Sequence, residues 1–98
     1  MLDISRFIPE GKENAVSREV LATRLGLPDR TVRKLIEEAR DRGELICNDG
    51  DGEGYYRSYD IGQIERQYRV DLARAMAVLK RLKTMRRMLN DAGKEVYP

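Results

Sequence analysis

The chain contains no histidine and no tryptophan, only one cysteine and one phenylalanine, and its three prolines stand at 9, 28 and 98. Without histidine it lacks the commonest general base and the commonest metal ligand together. A lone cysteine excludes an intramolecular disulfide. No run of about 18 apolar residues exists that could cross a membrane, and nothing resembles a signal peptide. A cytoplasmic protein with no membrane partner, no cofactor and no enzymatic activity is therefore expected.

What is present is charge, and it is unevenly spread. Of 98 residues, 19 are Lys or Arg and 17 are Asp or Glu, a formal net charge of +2. Residues 1–61 hold ten basic and thirteen acidic side chains, about −3; residues 62–98 hold nine and four, about +5. A basic tail suits an anionic partner, nucleic acid or acidic protein, or a solvated helix face. The chain is long enough for one small domain with a limited core.

Near the start, Leu2 to Ile8 predicts one or two helical turns burying Ile4, Phe7 and Ile8, ended by Pro9. Ala15-Val16 predicts a very short strand. Ser17 then offers an N-cap to a helix from Arg18 to about Leu25, with Leu21, Ala22 and Leu25 on its buried face. Gly26 can take a positive φ and close a turn. A second helix is expected from Pro28 or Asp29, with Asp29 as capping residue and Val32, Leu35, Ile36 and Ala39 as one apolar stripe. Gly43 ends it.

Leu45-Ile46-Cys47 and Tyr55-Tyr56-Arg57 are β-prone, and Asn48 to Gly54 between them is turn chemistry, so a hairpin is expected. Cys47 reads as a small hydrophobe within a strand. The alternation of Asp49, Asp51 and Glu53 with glycines is similar to a calcium loop, but it lacks the closing glutamate near Asp60 and a helix on each side. A solvated hairpin tip is the reading, with no metal.

From Asp60 one helix of about 30 residues is expected, roughly 45 Å long. Ile61, Tyr68, Leu72, Ala75, Leu79, Leu82 and Leu89 recur at sevens, fours and threes, widened by Ile64, Val78 and Met85. This approaches a heptad seam interrupted by Arg86 and predicts a homodimer through Tyr68, Leu72, Ala75, Leu79, Leu82, Met85 and Leu89. Arg69, Lys80, Lys83 and Arg87 run along another face. The division is a head over 1–59, a dimerisation helix over 60–92 and a tail over 93–98, in a fold that is mainly α with a small β-hairpin (α+β).

Helix, tight turn, helix, hairpin and long helix in this order resemble a winged helix-turn-helix domain. The motif rests on Ala22 where the first helix must be small, Gly26 in the turn, and Leu21, Leu25, Leu27, Val32 and Leu35 at the locking apolar positions. With the hairpin as wing it covers about residues 2–59. The phrases IPEGKENAVSREVLA, DRTVRKLIEEAR and ICNDGDGEGYY resemble small prophage-type bacterial DNA-binding proteins.

The resemblance implies that the second helix enters the major groove of double-stranded DNA, which has the width to admit it. Carried over, Asp29, Arg30, Thr31, Arg33, Lys34 and Glu37 are the exposed positions. Arg30 and Arg33 suit bidentate guanine contact, Thr31 and Lys34 phosphate or mixed contact, Arg18 and Arg24 backbone positioning, and Arg57 is the wing's one basic residue. Arg33 and Glu37 can also satisfy each other as an i, i+4 pair. The wing departs from the family pattern in being acidic. Sequence-specific DNA binding by a phage or prophage-type transcriptional regulator is the function implied; the alternative is a winged-helix protein-interaction or assembly module.

Overall fold

The computed structural model describes residues 2–49 and 54–96. A one-turn 3-10 helix, Ile4–Phe7, and a second, Lys12–Asn14, lead into helix α1, Arg18–Leu25, and helix α2, Asp29–Asp41. Strands β1, Ile46–Cys47, and β2, Tyr56–Arg57, form an antiparallel pair with Ile46 opposite Arg57 and Cys47 opposite Tyr56. Helix α3, Ile61–Asp91, closes the chain. The architecture is α+β: mostly helical, with one small hairpin and a long C-terminal helix.

Local chemistry accounts for each boundary. The Ser17 hydroxyl accepts from the Val20 amide at 3.1 Å and starts α1. Gly26 stops it with φ +65°, a left-handed value that a side chain resists. Helix α2 starts at Asp29, one of the two expected starts, but is capped differently. Its N-cap is Pro28, which makes no side-chain cap, and Asp29 is the first helical residue. Proline's fixed φ and extended ψ suit the entry, which frees the Asp29 carboxylate for a partner across the turn. Asp60 caps α3 by accepting from the Gln63 amide at 2.9 Å.

The core gathers Ile4, Ile8, Leu21, Val32, Ile36, Ala39, Ile46 and Tyr55, with Val16, Ala22, Leu25, Leu27 and Leu35 packed around it. Phe7 corrects the expectation that it is buried, for it is 45% exposed. A single 3-10 turn is too short for helical periodicity to assign faces, and Ile8, the extended C-cap, takes the inward place instead.

The predicted strand at Ala15-Val16 is reduced to a single bridge. Val16 exchanges two backbone hydrogen bonds with Tyr55, at 3.0 and 2.7 Å. Upstream, Arg57 donates its amide to the Pro9 carbonyl at 2.8 Å and its carbonyl accepts from Gly11 at 3.0 Å. The segment from Pro9 to Val16 thus lines the second edge of the hairpin and protects it. At Gly54 a Cβ would stand 2.8 Å from the Cβ of Ala15, so this approach needs glycine.

Only the start of α3 belongs to the head. Gln67 is buried and Gln63, Ile64 and Val70 are half-buried, whereas every residue from Asp71 to Asp91 is exposed. The molecule extends 51 Å along its longest axis. Among the described residues no helix is long and apolar enough to cross a membrane.

Candidate nucleic-acid interface

Helix α2 has two opposed faces. Val32, Ile36 and Ala39 are fully buried against the head, while Arg30, Arg33, Lys34 and Glu37 follow the i, i+3, i+4, i+7 pattern and are exposed. Burial of the first set fixes the orientation of the second. Among the described residues, no side-chain hydrogen bond or ion pair engages any of these four. The i, i+4 pairing of Arg33 with Glu37 is therefore not formed. Basic side chains occupy the first two turns and acids follow at Glu37, Glu38 and Asp41, so the cationic end is the one at the turn.

Other expected contacts sit differently. Arg18 Nε donates to Asp29 Oδ1 at 2.7 Å, joining the first turns of α1 and α2. That bond, helped by the Tyr55 hydroxyl and by the Asp29 charge, raises the Arg18 guanidinium above its ordinary value although burial opposes it. Arg18 and Asp29 thereby neutralise each other and bridge the first turns of the two helices. Thr31 is half-buried, and Arg24 is exposed. Arg57 is half-buried on β2 with its Nε on the Ile8 carbonyl at 2.8 Å, a strut between hairpin and N-terminal segment. On α2 the exposed and unengaged cations are thus Arg30, Arg33 and Lys34, whereas Arg57 is engaged by the Ile8 carbonyl.

The acidic wing needs a correction at Asp49. Its side chain is only 9% exposed, with Lys12 Nζ at 2.7 Å and Arg66 Nη1 at 3.9 Å. The Tyr56 hydroxyl donates to it at 2.7 Å. Burial alone would raise this carboxyl; the hydrogen bonds from Lys12 and Tyr56, and the charges of Lys12 and Arg66, outweigh it and hold the carboxyl below its ordinary value. Tyr56 responds in the opposite sense, its phenol raised first by burial and then by Asp49. The Asp49 charge is thus largely compensated within the chain. Asp51 and Glu53, the rest of the expected acidic tip and of the calcium-like alternation, lie outside the described residues.

Gln67 completes this junction and no sequence pattern marks it. Its Oε1 accepts from the amides of Asn48 at 2.7 Å and Asp49 at 3.0 Å, and its Nε2 donates to Asp71 at 3.1 Å. One buried amide thus ties the end of β1 to α3. Cys47 beside it is buried and free, and burial raises its thiol, which leaves it an inert hydrophobe. Arg40 Nε donates to the Ile46 carbonyl at 3.0 Å while its guanidinium lies 5.8 Å from the centre of the Tyr55 ring. Its Nη2 is buried with no hydrogen-bond acceptor among the described residues, and the ring face supplies the compensating electron density.

No family model matches the chain, and neither a curated protein nor a solved structure does.

Proposed function

We propose that the chain is a winged helix-turn-helix protein that binds double-stranded DNA in a sequence-specific way, as a prophage-type transcriptional regulator, and acts as a dimer through α3. The observation that carries this reading is the exposed stripe Arg30, Arg33 and Lys34 on the first turns of α2, unengaged within the chain. A guanidinium with no intramolecular partner has no bond within the chain to break when it turns to a base edge, so only its exchange of water for the base sets the gain. Asp49, compensated by Lys12 and Arg66, contributes little net negative charge to the hairpin. The mechanism is occupancy: two copies of α2 in major grooves hold a site against other proteins, with no bond made or broken.

Selection from a random duplex library, followed by a salt titration on the selected site, tests it. Binding should weaken steeply as salt rises, because phosphates neutralised by Arg and Lys release counterions. Arg30→Ala and Arg33→Ala should each lose about 1 to 3 kcal/mol and relax one position of the selected sequence. Affinity insensitive to ionic strength, or unchanged in both variants, contradicts the reading.

The exposed apolar stripe of α3 also favours a second reading, an assembly module that holds another protein. No shift of any duplex at low salt, together with co-purification of a defined partner, decides for that one.

A further inference from the structure

Helix α3 leaves Tyr68, Leu72, Val78, Leu79, Leu82, Met85 and Leu89 exposed on one stripe. Two charged side chains interrupt it, Asp71 and Arg86, both exposed. Their placement is symmetric. Asp71 stands three residues after Tyr68, the first member of the stripe, and Arg86 three residues before Leu89, the last. A two-fold axis through the midpoint, between Val78 and Leu79, therefore brings each interruption level with the other.

We propose that a second copy of this chain covers the stripe in antiparallel orientation, with Asp71 of each chain paired to Arg86 of the partner subunit. The inference rests on the dimer reading above and adds its direction. A parallel pairing in register would set Asp71 against Asp71 and Arg86 against Arg86, two like-charge contacts inside an apolar seam, each of which disfavours that arrangement. The antiparallel pairing converts both into attractions.

The charge along the helix points the same way. Residues 80–91 carry Lys80, Lys83, Arg81, Arg86 and Arg87 against Asp91 alone, while 61–74 carry Arg66, Arg69 and Arg74 against Glu65 and Asp71. Parallel packing places two strongly basic ends side by side. Antiparallel packing lays each basic end on the nearly balanced start of its partner and brings Arg66 level with Asp91.

A groove meets the partner where its helix would end. An open cleft of about 210 Å³ between β1 and α3 is lined by Leu45, Ile46, Cys47, Ile64, Tyr68 and Asp71, among others. It continues the stripe toward the head. Antiparallel pairing brings the last turn of the partner's helix, around its Leu89 and the Gly93 turn, onto this cleft.

Charge reversal in the full chain, read by sedimentation equilibrium, tests the proposal together with a distance measurement. Asp71→Arg and Arg86→Asp should each weaken the dimer at least tenfold, and the double variant carrying both should recover most of the loss. A spin label at position 91, with Cys47 replaced by serine, should report a label-to-label distance near 40 Å, since 91 and its symmetry mate lie about 25 residues apart along the axis at 1.5 Å each. A distance below about 20 Å, or a double variant as weak as the single ones, overturns the antiparallel arrangement while leaving a dimer in place. A wild-type chain that stays monomeric at the highest concentration reached overturns the dimer and this pairing together. Circular dichroism on each variant separates loss of pairing from loss of the helix.

Discussion

The Asp49 carboxylate gathers Lys12, Arg66 and the Tyr56 hydroxyl around one nearly buried position. In the folded chain its carboxyl lies below the ordinary value, so its contribution to stability is fully present above the unfolded carboxylate value near 4 and is lost as the pH falls through the lower folded value. Asp49→Asn should therefore be destabilising at pH 7, by about 1 to 3 kcal/mol as buried donors lose a charged acceptor. Denaturant titrations at pH 7 and pH 3 should show the gap between variant and wild type closing in acid. An equal gap at both values would mean that the ion pairs do not matter. The sequence hid this role. An aspartate among glycines reads as a turn tip, and its partners Lys12 and Arg66 stand far from it along the chain in both directions. By contrast the functions of Ser17, Asp60 and Gly26 were legible, because a cap or a positive φ depends on neighbours within three or four residues.

At the level of elements, the pair α1 and α2 was legible almost completely. Its buried stripe Val32, Ile36 and Ala39 emerged from periodicity alone, and burial of that stripe dictates which residues face outward. The start of α2 at Asp29 was legible but its cap was misread, since Asp29 looks like a cap by residue type, whereas Pro28 fills that position and Asp29 instead meets Arg18. Two measurements weigh these features. Gly26→Val should cost about 1 to 3 kcal/mol from backbone strain alone, because nothing lies within 4 Å of the position where a Cβ would sit. Gly26→Asn should cost distinctly less, as asparagine tolerates the left-handed region; equal melting points for the two variants would show that the turn relaxes instead. Ser17→Ala should remove about 1 kcal/mol, seen as a lower thermal midpoint with the fold retained in circular dichroism. The hairpin was foreseen but its outer edge was not. The pairing of Pro9 to Val16 with Tyr55 and Arg57 joins segments some 40 residues apart, which no local pattern reports.

On the scale of the whole molecule, the head is closed around its core while the helix beyond Val70 is bare on every side. A protein with such a helix gains stability by covering it, and if the cover is another copy the thermal midpoint rises with concentration. Calorimetry over a hundredfold dilution should show a midpoint falling as the chain is diluted; a constant value would leave the helix solvated on its own. The sequence announced this helix through its seam and its lack of proline. It could not announce how the helix is mounted. That mounting is narrow: Gln67 grips the backbone at Asn48 and Asp49, and Arg66 reaches Asp49 from the next position along. Beyond Gln67 the helix runs on to Asp91, about 36 Å at 1.5 Å per residue. A tilt of roughly 10° at the grip would swing the far end by about 6 Å over that length. The Asp49 and Gln67 cluster is thus where α3 is held to the head, and a small change of geometry there is amplified along the length of the helix.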